Sequence, residues 1–295
     1  MAKGTDDEHK AAKGALDLAA VWSHGIGLLR ANLQLIAVLA ALFVLLPNAA
    51  LQFTLPSNED MEGPLGVIFD PGASEAIREK AALALSEMMA PFVQWAGIVV
   101  VVAHLGYAAI VALVGRERPT VGEAMLHAMR VILPLILAII LTFAAIYAAL
   151  FVIQLVLSPM GPAAAAFLGS IVGVLLMLFL SARLLLTLPV MAIEHELNPI
   201  KALLRSWRLT SANPGNVFGF WMLIAVAWFV SLMLQLIVSS AFASIPGPGP
   251  TQTLIQGLFA GLFSMIWGAI FCVMGVALHT ALDKPSPTKN TLDPE

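Results

Sequence analysis

The chain has 295 residues, of which 60% are hydrophobic and 11% charged, with a mean hydropathy of +0.91; soluble domains carry about 25% charged residues. A net charge of −3 excludes a nucleic-acid surface built on bulk positive charge, and a single cysteine, Cys272, excludes an intrachain disulfide. Residues 131–182 and 209–282 contain no Asp, Glu, Lys or Arg, whereas one crossing of a bilayer needs only ~20 apolar residues.

These apolar runs are continuous rather than alternating, which predicts helices and not the strands of a barrel. The fold class is therefore all-α: a polytopic transmembrane bundle of six spans, carried by one domain over residues 13–282. Residues 1–12 are polar, with acidic residues and no apolar core, and read as a disordered tail rather than a cleavable signal peptide.

The first span covers residues 33–55, broken near Pro47. An outer loop, 56–90, carries seven acidic residues. Within it Ile77, Ala81, Leu85, Met88 and Met89 follow Ser74 at helical spacing, which predicts a short amphipathic helix on the outer surface. The second span is 91–114 and the third 131–157, with Pro134 near its start. Ser158-Pro-Met-Gly-Pro162 makes a turn. The fourth span is 163–193. The fifth, 217–245, ends at Pro246-Gly-Pro-Gly-Pro250, and the sixth is 254–281. The proline-bearing tail 283–295 reads as disordered.

Basic residues orient the spans. Twelve (Lys3, Lys10, Lys13 and Arg30; Arg116, Arg118 and Arg130; Lys201, Arg205 and Arg208; Lys284 and Lys289) fall on one side, against Arg78 and Lys80 on the other. Lys and Arg stay cytoplasmic. That predicts a multi-pass protein of a bacterial-type cytoplasmic (inner) membrane with both termini inside.

Amphipathic helices precede the odd-numbered spans. Leu18, Val21, Trp22 and Leu29 share a face before the first. Thr120-Val-Gly-Glu123 forms a capping box before the third, with Val121, Met125, Met129 and Ile132 on one face. Before the fifth, Asn198 caps a helix that starts at Pro199. There Ile200, Leu203, Leu204 and Trp207 repeat at i, i+3, i+4 and i+7, beside Lys201, Arg205 and Arg208. An apolar face with Trp next to a basic face suits an interfacial helix on anionic lipid. The pattern suggests three copies of helix–span–loop–span.

Inside the apolar runs, Arg183 and His104 form the candidate intramembrane polar site. Arg183 lies ten residues before Ile193, about 15 Å along a continuous helix, which predicts a charge at mid-depth that faces the bundle or snorkels. Asn48, Gln52, Gln154 and Gln235 read as glue between helices. Gly257, Gly261, Ser264, Gly268 and Gly275 form a small-residue stripe along the sixth span, for packing within the chain first and for oligomerisation second. Gly169 and Gly173 repeat the small-xxx-small pattern in the fourth.

No P-loop, H-E-x-x-H, G-x-S-x-G or cysteine pair occurs. Glu194-His195-Glu196 does not make a metal site, because consecutive residues do not share a helix face. The expectation is a protein without cofactor or metal and not an enzyme. Its partners would be membrane lipids, anionic ones above all, or a membrane protein or second copy; nucleic acid is not among them. Competing readings are a transporter with its path near Arg183, or a membrane-embedded enzyme acting on lipid headgroups.

Residues 184–210 read LLLTLPVMAIEHELNPIKALLRSWRLT. A span carrying Arg183, then Leu-Pro-Val, then Glu, then an Asn-Pro-capped helix with Ser-Trp-Arg-Leu-Thr, resembles the glycerophosphoryl diester phosphodiesterase membrane domain family. The specific residues lie between Arg183 and Gly219. In that family the membrane domain is sometimes fused to a soluble phosphodiesterase with a His-Arg-Gly catalytic start, a tripeptide this chain lacks. The resemblance implies a stand-alone membrane module associated with lipid metabolism.

Overall fold

A computed structural model describes residues 16–56, 58–116, 119–243 and 250–283. Residues 1–15, 57, 117–118, 244–249 and 284–295 lie outside them, with Lys3, Lys10, Lys13, Arg118, Lys284 and Lys289; Asp283, read from the sequence as part of the disordered tail, is instead the last residue of a helix. Among the described residues the structure is helical, with no strand, and has six helices long and apolar enough to cross a membrane. The elements in order are α1 (Leu18–Ala40), α2 (Leu46–Leu51), α3 (Asn58–Phe69), α4 (Glu75–Gly115), α5 (Val121–Leu157), α6 (Pro162–Leu184), α7 (Thr187–Ile193), α8 (Pro199–Ser211), α9 (Pro214–Ala243) and α10 (Pro250–Asp283).

Several helices are longer than the pattern of apolar residues predicts. α1 runs through the N-terminal amphipathic segment and continues by a π-helical turn, Ala41–Leu45, into α2 and a 3-10 turn, Gln52–Thr54. The π turn ends two residues before Pro47. Pro47 has no N–H to return to an earlier carbonyl, and the widened turn takes up the mismatch without ending the helix.

α4 has 41 residues, about 61 Å at 1.5 Å per residue, roughly twice the ~30 Å hydrocarbon thickness. The outer amphipathic helix is therefore no separate surface element but the first part of α4, and the chain passes through Pro91 without a break. Ala, Leu, Glu, Lys and Met upstream of Pro91 are strong helix formers, enough to absorb one lost hydrogen bond. α5 likewise joins its capped N-terminal segment to the third span, so Pro134 lies inside a helix and not near its start. Of the three expected amphipathic units only α8 is a helix of its own. The three-copy repeat is correspondingly imperfect.

The fourth span is also interrupted. α6 ends at Leu184, Leu185 and Leu186 form a turn, and α7 follows. Pro189 offers no N–H to the Leu185 carbonyl four residues back, which favours a break there.

By its contacts the chain, expected as one domain, divides into two compact units. Unit 1 holds residues 1–36, 107–230 and 269–295; unit 2 holds 37–106 and 231–268. In unit 1 the last turns of α4 (Ala108–Leu113) and of α10 (Cys272–Leu278) are buried on every side, with Leu186, Val190 and Met191. Leu133, Phe151 and Val156 of α5 and Phe167 of α6 are each about two-thirds exposed or more. Only hydrocarbon covers so much contiguous apolar surface at low cost.

In unit 2, Gly257 and Gly261 of α10 are buried against backbone. A Cβ at Gly257 would lie 2.6 Å from the Ala49 carbonyl oxygen, and one at Gly261 2.5 Å from that of Leu45. Gly268 is buried on the same helix and Ser264 half-buried. Gly275, in unit 1, backs onto the ring of Pro189. Gly169 and Gly173 face Gln154 and Leu150 of α5, so both patterns of small residues pack helices of this chain against each other.

Candidate functional site

Arg183 is built into unit 1 by the break after α6. It occupies the last turn of α6, where a cation complements the helix dipole. α8 packs against α5, α6 and α7. Its buried face is Ala202, Ser206, Leu209 and Thr210, a set of mostly small residues that lets backbones approach. Ser206 Oγ donates to the Arg183 carbonyl at 2.9 Å, whereas Thr210 Oγ1, 3.3 Å from that carbonyl, lies closer to the Ser206 carbonyl of its own helix at 2.9 Å. The buried Ser206 hydroxyl thus meets a carbonyl at the end of α6, where helix carbonyls lack partners in their own helix.

The side chain of Arg183 turns toward α8. Its guanidinium carbon lies 5.1 Å from the Phe179 ring centroid and 5.2 Å from that of Trp207. The two rings meet edge to face, with centroids 5.8 Å apart, so the cation sits in a corner of two aromatic planes. Such contacts contribute about 0.5–1 kcal/mol when exposed and about 2 when desolvated. Nη1 also donates to Ser211 Oγ at 3.1 Å, and that hydroxyl donates to the Trp207 carbonyl.

Mid-depth placement of Arg183 assumed one helix through Ile193, and the break removes that premise. Among the described residues no carboxylate lies within 4.0 Å of the Arg183 guanidinium. Most of its donors therefore remain open for a ligand.

The surroundings are amphipathic. On α8, Ile200, Leu204 and Trp207 are exposed and, with Ser211, fall on one stripe at i, i+4, i+7 and i+11. Lys201 and Arg208 are exposed on the neighbouring stripe. On α6, Leu175 and Phe179 are exposed in line with Arg183 at four-residue steps. The apolar periodicity of α8 thus marks its outward face and not its packed one.

Arg205 does not share in that open surface. Its Nε bonds both Glu194 oxygens at 3.0 and 3.2 Å, and Nη2 reaches Asp283 Oδ1 at 2.6 Å. His279 Nε2 meets Glu194 Oε1 at 2.8 Å, with its side chain 4% exposed. This group ties α8 to the ends of α7 and α10. Partial burial pushes the Glu194 carboxyl up, but hydrogen bonds from His279 and Arg205 outweigh it and hold the group below the usual glutamate range. The bond to Glu194 raises Arg205 above its ordinary value, against a smaller effect of burial. His279 and Asp283 carry no sequence signal for this role beyond their i, i+4 spacing.

The other candidates have contacts of their own. Glu194, His195 and Glu196 turn to three different partners: Glu194 to Arg205 and His279, His195 to His127, and Glu196 to the Asn198 amide. His104 belongs to unit 2, where Nδ1 pairs with the Val100 carbonyl at 2.7 Å. Among the described residues no three His, Cys, Asp or Glu side chains are grouped to hold a metal. The chain matches no family model, no curated protein and no solved structure in comparisons with each.

Proposed function

We propose that this multi-pass membrane protein is a lipid-associated module that holds an anionic headgroup at Arg183 and catalyses no reaction of its own. The observation that carries the reading is the Arg183 guanidinium. It is cornered by Phe179 and Trp207, oriented by Ser211, and has no carboxylate partner among the described residues. Arg presents a planar fork of donors that matches phosphate oxygens. The exposed apolar residues of α6 and α8 would lie against acyl chains, while Lys201 and Arg208 add attraction of about 1 kcal/mol each near an anionic surface.

A cytoplasmic placement of both termini, in a bacterial-type inner membrane, fits the charge. Along the sequence twelve Lys and Arg residues fall on one side of the spans and only Arg78 and Lys80 on the other. Membership of the glycerophosphoryl diester phosphodiesterase membrane domain family, resting on the residues from Arg183 to Gly219, would agree with a lipid role.

Native mass spectrometry of the gently solubilised full chain tests the reading. Retention of an anionic phospholipid, reduced in Arg183→Gln, is expected; equal retention of neutral and anionic lipid by both proteins would remove its basis. Metal-dependent release of glycerol 3-phosphate from a glycerophosphodiester by the pure chain would overturn the non-catalytic part.

A further inference from the structure

A second basic site lies in unit 1, separate from the Arg183 corner. It is a pocket of about 550 Å³ whose polar lining is Arg116, Glu123, His127, Arg130 and His195. Glu123, His127 and Arg130 follow at i, i+4 and i+7 on the first turns of α5, so they share a face. Arg116 follows the last residue of α4, and His195 comes from the segment after α7.

Three observations point to a ligand. First, His127 is 7% exposed, and although its ring bonds the Ala192 carbonyl, its Nε2 is buried without a hydrogen-bond partner among the described residues. A buried polar atom left unsatisfied is uncommon and calls for an explanation. Second, His195 has φ of 59°, the one non-glycine in left-handed geometry among the described residues. This strain holds its ring edge-on against His127, with centroids 4.4 Å apart and planes at 77°. Strained backbone of this kind concentrates at binding sites. Third, the charge is unbalanced. The one carboxylate in the lining, Glu123, is occupied by the capping box: Oε2 accepts from Thr120 N at 2.8 Å and from Thr120 Oγ1 at 3.0 Å. Neither Arg116 nor Arg130 has a carboxylate within 4.0 Å among the described residues.

Two guanidinium groups and two imidazoles around one pocket, against the single carboxylate of Glu123, suit an anion and repel a cation. We propose that this pocket binds a phosphate group, gripped by Arg116 and Arg130, with His127, as the imidazolium, donating from Nε2 to one of its oxygens. Arginine forks match tetrahedral oxyanions, and a phosphate oxygen supplies the acceptor that the buried nitrogen, once protonated, lacks. The volume lies in the range of about 300–1,000 Å³ typical of small-molecule sites, so the phosphate can belong to a small organic phosphate or to a lipid headgroup that enters from the membrane side.

The test uses the full chain labelled with ¹⁵N-histidine, delipidated in a neutral detergent, and titrated with inorganic phosphate at constant ionic strength. Ring resonances are assigned with His127→Gln and His195→Asn. Saturable shifts of both rings are expected, with affinity reduced about tenfold in Arg116→Gln/Arg130→Gln, as loss of charge-assisted bonds implies, and unchanged in Arg183→Gln. If the double variant does not fold, the single variants carry the test, since Arg130 is exposed and Arg116 half-buried. A second arm compares nanodiscs of phosphatidylcholine with and without phosphatidic acid, in the absence of free phosphate. A response to inorganic phosphate assigns the site to soluble phosphates; a response to phosphatidic acid alone assigns it to headgroups. No shift in either arm, or equal shifts in the arginine variants, overturns the proposal.

Discussion

Replacement of Gly261 by alanine puts a methyl group where α10 meets a carbonyl. The new Cβ would stand 2.5 Å from the Leu45 oxygen, 3.2 Å from its carbonyl carbon and 3.3 Å from its Cα. All three are backbone atoms, so no side-chain rotation relieves the contact. Ordinary contact begins near 3.4 Å, and the helices must part locally by close to 1 Å. A gap of that size forfeits about a quarter to a half of each dispersion contact along the seam. Overpacking of this kind costs about 1–3 kcal/mol. Gly257→Ala, 2.6 Å from the Ala49 oxygen, should cost a similar amount, and the pair should be less than additive once the helices have parted. Gly97 and Gly219 have nothing within 4 Å of a built Cβ, so alanine there should be neutral or stabilise by up to about 1 kcal/mol. Reversible unfolding in mixed micelles, followed by tryptophan emission, measures all four. Gly261→Ala as stable as the parent chain, or no better tolerated at Gly97 than at Gly261, would refute the close backbone packing.

Ser206→Ala removes the hydroxyl on the Arg183 carbonyl and should cost about 1–3 kcal/mol in the same assay; an unchanged midpoint would contradict the role given to that bond. Glu194 has its carboxyl lowered in the fold, so its contribution is fully present above the unfolded value of about 4.3 and is lost as pH falls through the folded one. The parent chain should lose stability over that acidic window more steeply than Glu194→Gln, by no more than about 1 kcal/mol, since Arg205 and Asp283 are partly exposed. On a Cys272→Ser background, a cysteine in place of Glu79 should react with an impermeant maleimide from the extracytoplasmic side; reaction from the cytoplasmic side only would reverse the orientation.

The pattern of apolar runs predicts six crossings, and the structure has six helices long and apolar enough for them. The caps at Thr120 and Asn198 also form as their sequences predict, because they depend on residues within a turn of one another. Faces are less legible. In water the apolar stripe of a helix marks its packed side, but hydrocarbon is as apolar as leucine and the rule loses its force. On α8 the apolar stripe is Ile200, Leu204 and Trp207, while Ala202, Ser206 and Thr210 make the contacts. The position of Arg183 depends on a helix break, and one proline at 189 does not state where the chain will turn. The tie from Glu194 to His279 joins residues 85 apart in sequence, beyond the reach of any local pattern.

The claim of a headgroup site rests on Arg183, and the affinity of the purified chain for a short-chain anionic phospholipid tests it most directly. Arg183→Gln should weaken binding by about tenfold or more, as loss of charge-assisted bonds implies. Arg183→Lys should recover only part, because a point charge lacks the planar fork. Lys201→Gln and Arg208→Gln, at exposed positions, should each have a smaller effect that salt reduces further. Equal affinity of the parent chain and Arg183→Gln would contradict the account.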